Sequence, residues 1–352
     1  MTADAVGGVW TYALELARAL GPDADVHLAV MGPQPDAARR TEAAAVPGVT
    51  LHAGDYRLEW MDEPWDDVAR AGDWLAHLER ALAPDVVHLN GYAHGALPWR
   101  APALVVAHSC VCSWWRAVRG EDAPASWYRY RAAVRAGLGG ADLVVAPTRA
   151  MGDALVDHYG AVPTLRVVTN GRAPIAAPGE KEALVLTAGR LWDAGKNVRA
   201  VLAAGAGAPW RTAVAGDGAP DDAPHVERLG VLAPAALGAW MARAAVYALP
   251  ARYEPFGLSA VEAAHAGCAL VLGDVASLRE VWGDAALYVD PDDADALRAA
   301  VARLLADPAE RAALAARARR RAMAYTPERM AAGYRAAYDA AAARRTEVAA
   351  CA

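Results

Sequence analysis

Residues 253–264 read Tyr-Glu-Pro-Phe-Gly-Leu-Ser-Ala-Val-Glu-Ala-Ala, with two carboxylates, Glu254 and Glu262, separated by seven residues. The apolar run Ala244 to Leu249 ends at Pro250 and delivers Glu254 onto a loop, while Ser259 to Ala266 has helical composition closed by Gly267. The two acids therefore flank one helix entrance. Gly257 between them lets free backbone N–H groups point outward, and with the helix dipole this makes a seat for an anion such as phosphate. Glu254 is then placed to hold hydroxyls on one side of it and Glu262 on the other.

Working outward, short apolar runs alternate with longer helical patterns, as in parallel sheets covered by helices. Strands are expected at 26–31, 86–89, 103–107, 143–147 and 166–169 in the first half. In the second half they are expected at 183–188, 212–215, 244–249, 269–272 and 287–289. Helices are expected over 9–20, with Val9, Tyr12, Ala13, Leu16 and Leu20 on one face, and over 295–305. The length, 352 residues, suits two domains. The link is placed near 171–180, which carries Pro174, Pro178 and Gly179. We therefore expect two Rossmann-like domains, 1–172 and 173–326, followed by an amphipathic helix over 327–345 that begins at Pro327 and spaces Met330, Tyr334 and Tyr338 helically.

The strand 183–188 ends in Gly189-Arg190, and Lys196-Asn197 opens the next helix. Open α/β sheets bind ligands at the carboxyl ends of their strands, and a strand-end arginine with a lysine six residues later can clamp a diphosphate from two directions. Such cations lower the barrier to expelling a phosphate without a metal. No metal site is expected, because Asp290-Pro-Asp292 and Asp293-Ala-Asp295 precede a helix and read as turn and N-cap residues. In the first half Val6-Gly7-Gly8-Val9-Trp10 leads into a helix, and its glycines allow close approach by a phosphate or sugar. His88, Asn90 and His108 each stand at or just beyond a strand end. For His88 a structural imidazole and a functional one both remain open.

The segment Glu254 to Glu262, together with Gly189-Arg190-Leu191 and Lys196-Asn197, resembles the Glu-x7-Glu, Gly-Arg-Leu and Lys-Asn elements of retaining glycosyltransferases of family 4 with the GT-B fold. The resemblance implies two Rossmann-like domains facing across a cleft, with a last helix crossing back to the first domain. It implies transfer of a sugar from a nucleoside-diphosphate sugar, a substrate rather than a cofactor, to an acceptor hydroxyl of a glycan, lipid or small molecule. In the family's pattern Arg190 and Lys196 hold the donor diphosphate, Glu254 contacts sugar hydroxyls and Glu262 the ribose. Gly189, Phe256, Gly257 and Leu258 lie along the donor, Gly7 and Gly8 near its phosphate, and His108 touches its sugar. Neither glutamate is a nucleophile, so the resemblance implies front-face retention with the leaving phosphate helping to accept the acceptor's proton. Asn170-Gly171 resembles the pair that closes the family's first domain. The rival readings are a GT-B sugar-nucleotide epimerase and a non-catalytic sugar- or nucleotide-binding partner subunit.

Other features bound the function. The net charge of −6 offers no whole-surface attraction for nucleic acid. The absence of long apolar stretches and of a signal-like start leads us to expect a soluble cytoplasmic protein. An aromatic and cationic cluster between Trp114 and Arg135 suits either stacked sugars, anionic lipid headgroups at a peripheral membrane contact, or ordinary helix packing with snorkelling arginines. Cys110-Val-Cys112 has neither zinc-ligand nor Cys-x-x-Cys spacing, and the four cysteines are expected to be buried thiols. Only Met1 to Val6 precede Gly7-Gly8, where the family pattern has a full strand. We therefore expect a truncated first strand and a true start several residues upstream.

Overall fold

The computed structural model describes residues 1–5, 7–22, 24–218 and 223–351, with side chains as far as residue 347. Val6 of the glycine loop and the side chain of Cys351 lie outside the described residues. The chain forms two compact units. One comprises Met1–Gly171 together with Pro327–Ala352, and the other Arg172–Thr326.

Unit 1 runs through β1 (Thr2–Asp4), α1 (Gly8–Leu20), β2 (Val26–Met31), α2 (Ala37–Ala44), β3 (Val49–Ala53) and α3 (Trp65–Leu82). It continues with β4 (Val87–Leu89), β5 (Ala103–Val106), α4 (Val111–Arg119), α5 (Tyr128–Gly140), β6 (Leu143–Ala146), α6 (Arg149–Tyr159) and β7 (Leu165–Val167). Its strands form two parallel ladders, β1-β2-β3 and β4-β5-β6-β7. A first strand is thus present, though only three residues long, and it pairs fully with β2. Where a backbone ladder between β1 and β4 would run, Asn90 bridges instead. Its N–H donates to Thr2 Oγ1 at 2.8 Å and its Nδ2 to the Thr2 carbonyl at 2.7 Å. The resulting succession 3-2-1-4-5-6-7 reverses direction between β1 and β4.

Unit 2 contains β8 (Glu182–Ala188), α7 (Val198–Gly205), β9 (Arg211–Ala215), β10 (Val226–Gly230), α8 (Pro234–Arg243), β11 (Ala244–Leu249) and α9 (Leu258–His265). After these come β12 (Ala269–Gly273), α10 (Ala276–Trp282), β13 (Leu287–Val289), α11 (Ala294–Ala306) and α12 (Pro308–Ala322). All six strands are parallel in the order β10-β9-β8-β11-β12-β13. The central strands β8, β11 and β12 are near-continuous apolar runs because helices cover both sheet faces, which gives cores around Tyr247 on one side and Val246 on the other. The order reverses between β8 and β11, the place where doubly wound sheets open a ligand crevice.

β3 and β10 are edge strands that the apolar-run reading omitted. Val49-Thr-Leu-His-Ala and Val226-Glu-Arg-Leu-Gly are only partly covered and mix polar with apolar residues. The last helix, α13 (Pro327–Cys351), belongs to unit 1 and runs past the expected end at 345. It buries Met330, Tyr334, Ala337 and Ala341, while Arg335 bonds the Leu20 carbonyl that ends α1.

Candidate functional site

In unit 2 the loops after β8 and β11 are stitched together backbone to backbone. The Gly195 carbonyl accepts the N–H groups of Arg252 and Tyr253 at 2.9 and 3.2 Å. Asp193, nearly buried, shapes the first loop by accepting Gly195 N–H on Oδ1 at 2.8 Å and Lys196 N–H on its carbonyl at 2.9 Å. Asn197 is left-handed at φ 54° and 4% exposed, and its Nδ2 donates to the carbonyls of Pro250 at 2.9 Å and Pro291 at 2.6 Å. Its Oδ1 accepts from Arg252 at 2.6 Å, and Arg252 also pairs with Asp292.

This stitching brings Lys196 Nζ to 2.5 Å from Glu254 Oε2. The other oxygen of Glu254 faces the Phe256 N–H at 3.4 Å, and Ser277 donates to the Glu254 carbonyl at 2.5 Å. Arg190 bonds Asp193 at 3.3 Å and stacks 5.6 Å over Trp192, and its Nε is buried without a partner among the described residues. Behind Gly189 the loops after β8 and β9 touch directly. A Cβ on Gly216 would stand 1.8 Å from the Gly189 carbonyl oxygen, so only glycine fits. Gly257, at φ 90°, turns the chain into α9, whose first N–H groups belong to Leu258 and Ser259.

Two of the motif residues have side-chain surroundings that the sequence does not reveal. The Phe256 ring is 2% exposed and packs edge-on against Tyr325 at 5.3 Å, so the side chain is part of the core. Glu262 does lie within α9, but its carboxylate is engaged by Arg172 Nε at 2.6 Å, each side chain about nine-tenths buried. Arg172 escaped the sequence reading because a charge in a proline-bearing link reads as solvated, and its partner lies ninety residues away. The aspartates read as caps behave so: Asp293 accepts the Ala296 N–H and Asp290 the Asp292 N–H.

In unit 1 the candidate residues gather at the carboxyl ends of β1, β4 and β5. His108 Nε2 lies 2.8 Å and His88 Nε2 3.1 Å from Asn90 Oδ1. A carbonyl oxygen only accepts, so both imidazoles carry their proton on Nε2. His88 Nδ1 then accepts from the Tyr338 hydroxyl of α13 at 2.9 Å. Burial pushes the pKa of His88 well down and that of His108 down to about 3, keeping both neutral. His88 is 2% exposed with both nitrogens bonded, which favours its structural reading. His108, more open, has the Tyr12 ring against it at 4.4 Å. Gly7, at φ 83°, and Gly8 are exposed at the start of α1.

The aromatic and cationic cluster is mostly engaged internally. Arg119 stacks over Trp114 and Trp115, Arg129 over Trp65, Arg116 pairs with Asp122, and Trp127 packs edge-on against the buried Tyr130. Among the described residues no helix is long and apolar enough to cross a membrane.

With this geometry in hand, comparison with known proteins gives a consistent picture. Residues 6–173 match the family described as Glycosyltransferase Family 4, and residues 182–307 match Glycosyl transferases group 1. The glycogen synthase of Mycobacterium tuberculosis (strain H37Rv) is 31% identical over 321 residues, covering 80% of this chain and 75% of that protein. A shorter match to O-antigen chain mannosyltransferase B of Escherichia coli, 42% identical, covers 22% of this chain and 20% of that one. Sucrose-phosphate synthase from Thermosynechococcus elongatus superposes with a TM-score of 0.78 at 20% identity, over 99% of both chains. The Anabaena protein HepE, solved with UDP and glucose, does so at 0.75 and 17% identity, over 96% of this chain and 98% of that one. The chain belongs to the family 4, group 1 glycosyltransferases and has their GT-B fold.

Proposed function

We propose that the protein transfers a sugar from a nucleoside-diphosphate sugar to an acceptor hydroxyl with retention of configuration, the donor diphosphate lying at the strand-order reversal of unit 2. The observation that carries this reading is the stitched pair of loops that presents Arg190 and Lys196 next to Glu254. The complex of HepE with UDP and glucose supports the donor class.

In this reading the diphosphate is held by Arg190, Lys196 and the first N–H groups of α9. As the bond from the anomeric carbon to the phosphate oxygen breaks, charge builds on the departing phosphate, and these fixed cations and dipoles stabilise it in place of a metal. Lys196 is pre-aligned by Glu254, so little reorganisation accompanies the charge development. Both motif carboxylates are held in ion pairs, Glu254 with Lys196 and Glu262 with Arg172, an arrangement suited to positioning donor hydroxyls and unsuited to nucleophilic attack. Retention then follows from attack on the face the phosphate leaves, with the phosphate oxygen accepting the acceptor's proton.

The test is a thermal-shift panel of uridine, guanosine and adenosine diphosphates and their sugars, followed by NMR of the anomeric proton in the product. Selective stabilisation by one base and a product of the donor's configuration are expected. No shift with any nucleotide, or an inverted product, overturns the reading.

A further inference from the structure

Asn90, just past β4, is a side chain whose orientation the surrounding bonds leave no freedom to change. Its Nδ2 donates to the Thr2 carbonyl at 2.7 Å and its backbone N–H to Thr2 Oγ1 at 2.8 Å, and Thr2 is buried at the start of β1. Turning the amide over would set its oxygen against the Thr2 carbonyl oxygen, two acceptors with no proton between them. The amide oxygen therefore faces the two imidazoles, with His108 Nε2 at 2.8 Å and His88 Nε2 at 3.1 Å.

The network has a second anchor on α13. The Tyr338 hydroxyl sits 2.9 Å from His88 Nδ1, and the Tyr12 hydroxyl, 3.2 Å from His88 Nε2, shares the proton that this nitrogen offers to Asn90. The Tyr12 ring lies edge-on to His108 with centroids 4.4 Å apart and closes one side of that imidazole. His108 thus commits its Nε2 proton to Asn90. Its Nδ1 carries a lone pair, has no partner among the described residues, and belongs to a half-buried ring. Burial keeps the ring neutral, so at neutral pH Nδ1 accepts a hydrogen bond and offers none.

We propose that Asn90 is a positioning residue that fixes His108 as a hydrogen-bond acceptor, so that the site selects a substrate hydroxyl able to donate to Nδ1. The assignment of that hydroxyl to a sugar rests on the transferase reading; the fixed tautomer does not. A hydroxyl donates and accepts, fluorine in its place only accepts, and hydrogen does neither. An acceptor-only nitrogen therefore rejects both the fluorinated and the deoxy sugar, whereas a donating imidazolium would reject chiefly the deoxy one.

The experiment begins with protein labelled with 15N-histidine and long-range proton–nitrogen NMR at pH 7. His108, assigned by the signals lost in H108A, is expected as a single tautomer protonated on Nε2 and bare on Nδ1. A series of donors and acceptors with each sugar hydroxyl replaced in turn by hydrogen or fluorine then reads selectivity. At one position both replacements should lower kcat/KM by about tenfold or more, and H108A should abolish that discrimination. N90D sets a carboxylate beside the ring, so His108 should hold protons on both nitrogens and the fluorinated sugar should outperform the deoxy one. A mixture of tautomers or a proton on Nδ1 in the wild-type protein overturns the inference. So do an N90D spectrum unchanged at His108, a series in which no position separates wild type from H108A, and a fluorinated sugar that matches its parent where the deoxy sugar fails. Absence of turnover with every nucleotide sugar defeats the transferase reading instead. The wild-type spectrum then decides this inference alone, as it does should N90D not fold.

Discussion

Glu254 and Arg172 show how differently two charged residues disclose themselves. Glu254 was legible because its loop, its glycine and its helix are contiguous in sequence. Arg172 was not, since only folding sets it against Glu262. We expect Glu254→Gln to lower kcat by about 100-fold or more, the usual scale for losing one preorganised polar contact in a transition state. Steady-state kinetics with the donor identified by thermal shift checks this. Arg172→Met removes the buried guanidinium that pairs with Glu262 and should cost about 3–5 kcal/mol in urea unfolding. The double variant R172M/E262L should recover most of that loss, because an apolar pair of similar volume demands no ion pairing. Phe256 carries the opposite lesson. Its ring fills the core against Tyr325, a placement no local pattern discloses.

At the scale of elements, strands and helices were read well wherever periodicity or a continuous apolar run marked burial. β8, β11 and β12 stand where expected because both faces of the sheet are covered. The edge strands β3 and β10 escaped because partial exposure lets polar residues interrupt the run. The joining of the loops after β8 and β11 was likewise invisible, since Asn197 looks like any helix-opening residue. Asn197→Gly preserves the left-handed backbone but removes bonds to Pro250, Pro291 and Arg252. It should cost about 2–3 kcal/mol, at roughly 1 kcal/mol per hydrogen bond. It should also raise the donor KM more than it lowers kcat, which donor titrations would reveal. On α13, Tyr338→Phe deletes the donor to His88 Nδ1 and should cost about 1–2 kcal/mol in unfolding.

For the whole molecule, the buried neutral histidines set an acid limit. Burial holds His88 and His108 neutral in the folded protein, while an unfolded histidine takes up its proton below about pH 6.5. The unfolded state therefore binds more protons as pH falls, and stability should drop between about pH 6.5 and the folded pKa of about 3 for His108. Each proton contributes about 1.4 kcal/mol per pH unit at the steepest part. Denaturation midpoints measured at pH 7, 6 and 5 should decline in that order, and a flat profile would contradict burial of neutral imidazoles. By itself the sequence determined the fold class, the alternation of strands and helices and the position of the candidate donor loop, because burial periodicity and motif spacing are local properties of the chain. Only the tertiary structure decided that strand order reverses between β8 and β11, that Glu262 is held by Arg172, and that Asn90 joins β1 to β4. Each of these depends on groups far apart in sequence, whose meeting is fixed by how the sheets pair and pack.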